Sequence, residues 1–338
     1  MAIQRGNMQF LNLKRIYERN KKSIDKNIND VLSSGRFIGG KYVEELEDLL
    51  SYYTNSTCIT CGNGTDALHI ALRLMQVDNK RIALPAFGFR AALEMIYLLG
   101  AQPVFVDIGD DFNINPELIP DDIDGVIAMS LFGVNCKYNE IRQKIGWEKK
   151  FIIDAAQSFS SNIGCQAEIA DVVTTSFHPT KILGCFGDGG ALFTNQTIER
   201  DVARSYRNHG RSHVNKDEYL MIGTNSRLDN IQAAILVARF ESFSDELWMR
   251  EVIARMYEIP NSRSLYPFHS ILVNNRDEIR KSIEARGVPT KCYYKEPLSD
   301  CPKAKTASKR ILQVPIDPYM TAKEIKKVKE IVCDYPIR

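Results

Sequence analysis

Neither an excess of one charge nor a long apolar run is present in the 338-residue sequence. The 44 basic and 42 acidic side chains leave a formal net charge of +2. Nucleic acids and anionic membranes are bound by concentrated basic patches, so this balance argues against both partners. No apolar stretch approaches the roughly 20 residues of a membrane-spanning helix. Residues 1–22 lack the apolar core of a signal peptide, so we expect a cytoplasmic protein.

The eight cysteines are scattered along the chain, as expected for reduced thiols rather than a disulfide framework. Cys58 and Cys61 form a C-x-x-C, but a zinc site would need a second pair or two nearby histidines. Cys58 lies within an apolar, strand-like run instead of at a helix N-terminus, which disfavours a low-pKa redox pair. We therefore expect two buried thiols near the end of a strand, and no metal site.

Short apolar runs alternate with amphipathic helical segments over most of the chain. Helices are predicted at 15–55, interrupted by a turn at 33–40, and at 67–75 and 91–100. The strand candidates are apolar throughout, which is typical of a mostly parallel sheet with helices on both faces. Seven strands are predicted, with one of the last two a candidate for an antiparallel direction: 57–61, 81–85, 103–107, 125–129, 150–154, 171–177 and 191–194.

Beyond about residue 230 the pattern changes to one long helical stretch ended by Pro260, followed by mixed strands and helices. Strands are expected in HSILVNN and RILQVPI, and helices in DEIRKSIEARG and TAKEIKKVKEIVCDY. The sequence therefore predicts an α/β fold in two domains. A large domain with an N-terminal helical segment spans 1–235, and a connecting helix with a small α+β domain spans 236–338.

Ligands of open parallel sheets bind beyond the carboxyl ends of the strands, so the residues that follow each strand are the site candidates. The first strand is followed by C-G-N-G-T-D-A-L, in which Gly62, Gly64 and Ala67 satisfy G-x-G-x-x-A. Glycines before a helix can bind phosphate through free N–H groups and the helix dipole. An NAD site would also need an acid after the second strand, where P-A-F-G-F (85–89) stands instead. The motif favours a phosphate site, with a plain turn as the alternative.

Three other strand ends carry chemically distinctive side chains. Phe87 and Phe89 follow the second strand, and one of them is expected to stack on a planar ring while the other packs in the core. Asp154 ends the fifth strand, where a desolvated carboxylate needs a cationic partner, either an arginine or a protonated ring nitrogen. Lys181 follows the sixth strand, and a desolvated lysine becomes a nucleophilic amine. Phosphate site, ring face, carboxylate and amine are together the groups that pyridoxal phosphate requires.

The sequence resembles the DegT/StrS-type sugar aminotransferases, which share fold type I with aspartate aminotransferase. The resemblance covers nearly the whole chain through segments such as SGRFIGGKYVEELE, GNGTDAL, DAAQS, SFHPTKILGCFGDGGALFTN and GTNSRLDNIQAA. It implies a cofactor that alternates between pyridoxal phosphate and pyridoxamine phosphate, an amino-acid donor such as glutamate, and a nucleotide-linked keto-sugar acceptor. Members that aminate a 3-keto sugar look most similar, with 4-keto relatives close behind.

The resemblance also implies a role for individual residues. Lys181 matches the lysine that bonds to the cofactor aldehyde and then carries protons, and Asp154 matches the carboxylate that pairs with the ring nitrogen. Gln157 resembles the residue that hydrogen-bonds the 3-hydroxyl group. Phe89 stands where the family places an aromatic side chain over the ring.

Phosphate binding is implied for Gly64, Thr65 and Ser176 by the same resemblance. Asn225, in GTNSR, matches an asparagine that reaches the phosphate of the neighbouring subunit, which implies a homodimer with a shared site. The glycines of the run at 184–190 are interpreted as a tight chain reversal back into the sheet, not as a phosphate site.

Some segments depart from the family pattern. Gly88 replaces the usual Thr before the aromatic residue, and Tyr293-Tyr294-Lys295 replaces a common H-Y-P. The small domain is shorter than is usual in the family around residues 257–268. His178 is interpreted as a loop residue rather than a base. Two alternatives stay open at this point: a sugar dehydratase, in whose known members a His replaces the lysine, and a non-catalytic ligand-binding protein on the same fold.

Overall fold

Seven strands form one sheet in the computed structural model, which describes residues 8–160, 162–212, 214–215, 217–259 and 269–337. The strand order is β1-β7-β6-β5-β4-β2-β3. β7 runs antiparallel to both of its neighbours, and the remaining pairs are parallel. The predicted mostly parallel sheet is therefore confirmed. The strands are β1 Thr57–Cys61, β2 Arg81–Pro85, β3 Gln102–Val106, β4 Gly125–Met129, β5 Lys150–Asp154, β6 Val172–Ser176 and β7 Gly190–Thr194.

Helices cover both faces of this sheet, and the strands are apolar on both faces for that reason. In β1, Cys58 packs into the core on one face and Ile59 into the core on the other. Ile153 and Ile152 of β5 divide in the same way, as the period of two in a strand requires. The first eight helices are α1 Leu13–Ser34, α2 Lys41–Thr54, α3 Gly64–Leu74, α4 Ala91–Leu98, α5 Tyr138–Ile145, α6 Ile163–Ile169, α7 Thr197–Tyr206 and α8 Asn230–Phe240.

A smaller C-terminal unit follows, built on two antiparallel strands. β8 (His269–Leu272) pairs with β9 (Ile311–Val314), and their buried side chains share a core with the last helix. The predicted α+β mixture is thus present. The remaining helices are α9 Phe243–Tyr257, α10 Arg276–Ala285, α11 Pro302–Arg310 and α12 Ala322–Val332. None of the helices in the described ranges is both long and apolar enough to cross a membrane.

The single long helix predicted beyond residue 230 is wrong, because the chain forms α8 and α9 with a break at Glu241–Ser242. The Ser242 hydroxyl donates to the carbonyl of Arg239 (3.3 Å) and to Asn20 of α1 (2.9 Å). A serine side chain that bonds to a nearby carbonyl competes with the helical backbone, and the shorter bond to Asn20 holds this serine against α1 at the break. Pro260, the expected end of the helix, lies outside the described residues, as does most of the short segment 257–268.

The predicted domain boundary at residue 235 falls within α8, which packs on α1 and α2. The division into 1–235 and 236–338 stays a prediction. The short α11 was not anticipated, because its sequence, PKAKTASKR, buries only small side chains and carries no apolar periodicity.

Both cysteines of the C-x-x-C are buried, as expected. Burial raises the pKa of Cys61 to about 12 and also raises that of Cys58, so neither is a ready thiolate. Within the described part of the chain, no three His, Cys, Asp or Glu side chains are grouped so that they could hold a metal ion.

His269, the first residue of β8, is buried with both ring nitrogens unpaired among the described residues. Its ring lies edge-on to Tyr257, with 5.3 Å between the centroids. Burial lowers the pKa of His269 to about 4, so the imidazole is neutral in the folded protein.

We predict that His269 makes the protein sensitive to mild acid. The unfolded chain binds the proton near the ordinary pKa of 6.5, so stability is lost as the pH falls from 6.5 towards 4. For His269 alone, the free energy of unfolding should drop by roughly 2–3 kcal/mol between about pH 7.5 and pH 4.5. Urea unfolding of the wild type and His269→Leu at both pH values isolates this contribution. Equal pH dependence in the two proteins would contradict it.

Candidate active site

A cavity of about 660 Å³ lies at the carboxyl ends of β1, β2, β5 and β6. This is where an open parallel sheet positions its ligands. Seven of the eight residues singled out from the sequence line it: Gly64, Thr65, Phe89, Asp154, Gln157, Ser176 and Lys181. The eighth, Asn225, is exposed and is not part of the described lining.

One end of the cavity is formed by the N-terminus of α3. The first N–H groups of an α-helix have no acceptor within the helix. Asn63 accepts from the N–H of Asp66 (2.8 Å), leaving those of Gly64 and Thr65 at the cavity. Ser176, at the end of β6, closes this end: a Cβ added at Gly64 would lie 2.7 Å from the Ser176 Cβ. The helix N-terminus, the hydroxyl groups and the close backbone form a cradle suited to an anion.

Ser226 supports this cradle from the loop before α8, a role that was not predicted from the sequence. Its hydroxyl donates to Asp66 Oδ2 (2.6 Å) and accepts from the N–H of Gly62 (3.0 Å). Asp66 also accepts from the Asn63 amide (3.0 Å), so the start of α3 is fixed on two sides. The adjacent Asn225 forms an isolated bridge with Asn208. Its expected contact with a neighbouring subunit stays a prediction.

Lys181 and Asp154 both line the cavity, and both are partly buried. Burial lowers the pKa of Lys181, and the charge of Asp154 partly opposes this shift. Burial raises the pKa of Asp154, while the Ala156 N–H (2.9 Å from Oδ1) and the charge of Lys181 act in the opposite direction. The site therefore holds an amine that is unprotonated more readily than an ordinary lysine, facing a carboxyl group that needs a cationic partner.

Gln157 is held in one orientation by two hydrogen bonds. Its Oε1 accepts from the N–H of Phe132 (2.9 Å), and its Nε2 donates to the Tyr294 hydroxyl (2.7 Å). Tyr294 comes from the C-terminal unit and also lines the cavity. The sequence showed the Tyr293-Tyr294-Lys295 segment only as a departure from the family, and the contact with Gln157 was not foreseen.

The two phenylalanines after β2 differ in burial: Phe87 packs in the core, as expected for one of them, and Phe89 lies at the cavity. Phe87 is fully buried, and Phe89 is 54% exposed at the cavity, with its ring centroid 6.1 Å from that of Tyr294. Gly88 between them packs against β4, so closely that an added Cβ would overlap Met129 Sδ. This contact leaves no room for a side chain at position 88 while Met129 keeps its present conformation.

The loop after β6 brings Lys181 into the cavity through a tight turn, in which its N–H donates to the carbonyl of His178 (2.8 Å). His178 is exposed, and its Nδ1 lies 2.9 Å from the Thr180 hydroxyl. Gly189 and Gly190 do not belong to the described lining of the cavity. Added Cβ atoms there would meet Leu228 and the backbone of Asn63, so these glycines permit close packing where the chain re-enters the sheet.

The donor set fits pyridoxal phosphate: an anion cradle, an exposed aromatic ring, a carboxyl group short of a cationic partner and a lysine whose pKa is lowered by burial. The fold and this set of groups define a class of protein, the aminotransferases of pyridoxal-phosphate fold type I.

Comparison with known proteins gives the family within that class. The chain belongs to the DegT/DnrJ/EryC1/StrS aminotransferase family, whose family model matches residues 18–333. It is 35% identical to UDP-2-acetamido-2-deoxy-3-oxo-D-glucuronate aminotransferase of Pseudomonas aeruginosa, over 96% of this chain and 98% of that one.

Two solved structures show the same architecture along nearly the whole chain. A family aminotransferase from Brucella abortus is 34% identical, with a TM-score of 0.90 over 96% of this chain and 98% of that one. NtdA of Bacillus subtilis, with bound cofactor PMP, is 26% identical, with a TM-score of 0.89 over 98% of this chain and 86% of that one.

We predict that Asp154→Asn lowers the pKa of Lys181 further, because the negative charge that raises it is removed. The amine should then react at lower pH. The measurement is the pH dependence of Lys181 methylation in the cofactor-free protein, followed by mass spectrometry of the labelled peptide. Asp188 is an exposed acid that lines the same cavity, so Asp188→Asn is the matched control. This variant should show the same pH dependence of Lys181 methylation as the wild type. A profile unchanged in Asp154→Asn would disprove the coupling.

Proposed function

We propose that the protein transfers an amino group from an amino acid, glutamate, to a nucleotide-linked keto-sugar with pyridoxal phosphate as cofactor. The observation that carries the proposal is the desolvated pair of Lys181 and Asp154, set beside an anion cradle in a member of an aminotransferase family. The amine passes from donor to acceptor through the cofactor in two half-reactions, so the kinetics should be ping-pong.

Each residue at the cavity has a task in this reaction. Pyridoxal phosphate, when bound, supplies a ring that takes up the electron pair left by the departing Cα proton. Lys181 Nζ would hold the cofactor through its aldehyde and, once the amine of the donor has displaced it, would be free to remove the proton at the donor Cα. In the second half-reaction it returns a proton to the sugar carbon that receives nitrogen. Its lowered pKa suits both directions of transfer. Asp154 pairs with the ring nitrogen and keeps it protonated.

The remaining residues bind and orient. The N–H groups of Gly64 and Thr65, with the Ser176 hydroxyl, hold the phosphate. Gln157, fixed by Phe132 and Tyr294, hydrogen-bonds the ring hydroxyl. Phe89 covers the ring and excludes water from one face.

The acceptor is proposed to carry its ketone at carbon 3. The name of the 35% identical relative, a 3-oxo sugar nucleotide aminotransferase, supports this choice over a 4-keto sugar. A second cavity of about 890 Å³ adjoins the first and shares Thr180 and Tyr293 with it. Its lining includes Lys291 and an Arg280 that is paired with Glu284 (3.0 Å), and its space and the charge of Lys291 suit the nucleotide diphosphate. The cytoplasmic location expected from the sequence stays a prediction.

Replacing Lys181 with Ala should reduce repeated turnover by roughly a thousandfold or more, because the proton carrier is removed. Formation of 2-oxoglutarate and of amino sugar is measured with 3-keto and 4-keto sugar nucleotides as acceptors. His178→Ala is the control: it removes another polar side chain that lines the cavity, and it should keep activity within about fivefold. Undiminished turnover by Lys181→Ala would refute the mechanism, and a preference for 4-keto acceptors would refute the proposed position.

A mixed dimer tests the proposed role of Asn225. In a hybrid of Lys181→Ala and Asn225→Ala chains, a site shared across subunits leaves one of the two sites with both residues intact. The hybrid should therefore recover about half of the wild-type rate, although each parent homodimer is impaired. Co-expression with two affinity tags isolates the hybrid for assay. If Asn225 instead contributes to the active site of its own chain, the turnover rate of the hybrid will not exceed that of the Asn225→Ala homodimer.

A further inference from the structure

A buried arginine outside the cavity contacts the loop that carries Lys181. Arg239 of α8 is 1% exposed, and its Nη1 donates to the carbonyl of Gly184. Its Nη2 points to the carbonyl of Ile182, 3.5 Å away. One guanidinium group therefore contacts two carbonyls within three residues of Lys181, and Arg239 is not among the described residues that line the cavity.

The same loop has little freedom to move at these points. The side chains of Ile182 and Leu183 are buried in the core, and the N–H of Cys185 donates to the carbonyl of Phe177 (2.8 Å). A Cβ added at Gly184 would lie 2.6 Å from the carbonyl oxygen of His178, so the turn is closed on itself. A displacement of the Gly184 carbonyl would therefore also displace the backbone of Lys181, three residues earlier in the same turn.

Glu246 of α9 pairs with this arginine and extends the contact to the C-terminal unit. Its Oε2 lies 3.1 Å from Arg239 Nη2, and both side chains are 1% exposed. Its Oε1 accepts from the Tyr319 hydroxyl (2.8 Å). Arg250, on the next turn of α9, donates to the carbonyl of Ile316 (2.7 Å). A continuous polar path thus runs from the Lys181 loop to residues 316–319.

We propose that Arg239 and Glu246 are positioning residues, which hold the Lys181 loop in register with the C-terminal unit and so set where Lys181 Nζ lies relative to Asp154. The inference rests on the proposed function, because it assumes that the position of Lys181 matters for catalysis. The C-terminal unit also supplies Tyr294 to the cavity, so its position and that of the lysine are set together.

The pair is poorly explained as a stability device alone. A buried ion pair must overcome the cost of removing both charges from water, and well-packed apolar residues often serve stability equally well. In addition, Arg239 Nε is buried without a partner among the described residues. Arg239 contacts the two carbonyls that follow Lys181, and Glu246 contacts the Tyr319 hydroxyl. These hydrogen bonds fix the relative positions of the two segments and add little apolar packing.

The test separates positioning from stability with three variants. Arg239→Met leaves Glu246 as an unpaired buried charge and should lower the melting temperature. The double variant Arg239→Met with Glu246→Leu removes both charges and should recover much of that loss. Arg239→Lys keeps the charge, but one ammonium group cannot replace the planar fork. Arg142→Met breaks the buried Arg142–Asp171 pair (3.3 Å), which lies outside the described cavity lining, and serves as the matched control.

The readouts are the pH midpoint of the cofactor absorbance band in the holoenzyme, the dissociation constant for pyridoxal phosphate, and kcat against KM. We expect the double variant to shift the midpoint by roughly half a unit or more and to lower kcat roughly tenfold or more, with KM for the sugar little changed. For Arg239→Lys, both the pH midpoint and kcat should lie between those of the double variant and those of the wild type. Arg142→Met should lose stability and keep the wild-type midpoint.

Two results would overturn the inference: a double variant with the wild-type midpoint and kcat, or the same shift in Arg142→Met. Failure of the proposed function is recognised separately with Lys181→Ala. If that protein keeps the wild-type band and its pH dependence, the lysine is not the group being observed. If it loses them while the double variant behaves as wild type, only the positioning role is wrong.

Discussion

The partial burial of Lys181 and Asp154 at the ends of buried strands is the constraint on which the rest of the structure depends. Each group alone would be driven towards its neutral form by burial, and each charge partly stabilises the other. Such a pair cannot be held by a surface loop, because water would screen it. It needs the ends of buried strands, and those strands need a core on both faces of the sheet. The seven-stranded architecture is thus the support for one desolvated pair.

The strands and most of the strand-end residues could be predicted from the sequence. An apolar run bounded by charged or glycine residues defines a buried strand almost without reference to the rest of the chain, and β1, β2, β4 and β5 begin and end at the predicted residues. Asp154 is the last residue of one such run, and Gly64 and Lys181 lie three and five residues beyond the ends of two others. Their convergence on one cavity was predictable because the carboxyl ends of parallel strands share one edge.

What could not be predicted depends on contacts between distant segments. Tyr294 meets Gln157 across 137 positions of sequence, and Ser226 meets Asp66 across 160. No local pattern carries information about such partners. The break between α8 and α9 has the same origin: helix periodicity continues through Ser242, whose bond to Asn20 of α1 comes from tertiary packing. Asn225 is a further case, since its proposed partner belongs to another molecule.

The contact between Gly88 and Met129 has a consequence for exchanging residues among relatives. The space that a side chain at position 88 would need is already filled by the thioether of a buried β4 residue. A larger residue transplanted here from another family member would meet sulfur, unless position 129 were reduced in the same step. The two positions share one volume between the neighbouring strands β2 and β4, so a change at either position has to be considered together with the other. Redesign of this region therefore has to match the combined side-chain volume at positions 88 and 129, which sequence identity alone does not reveal.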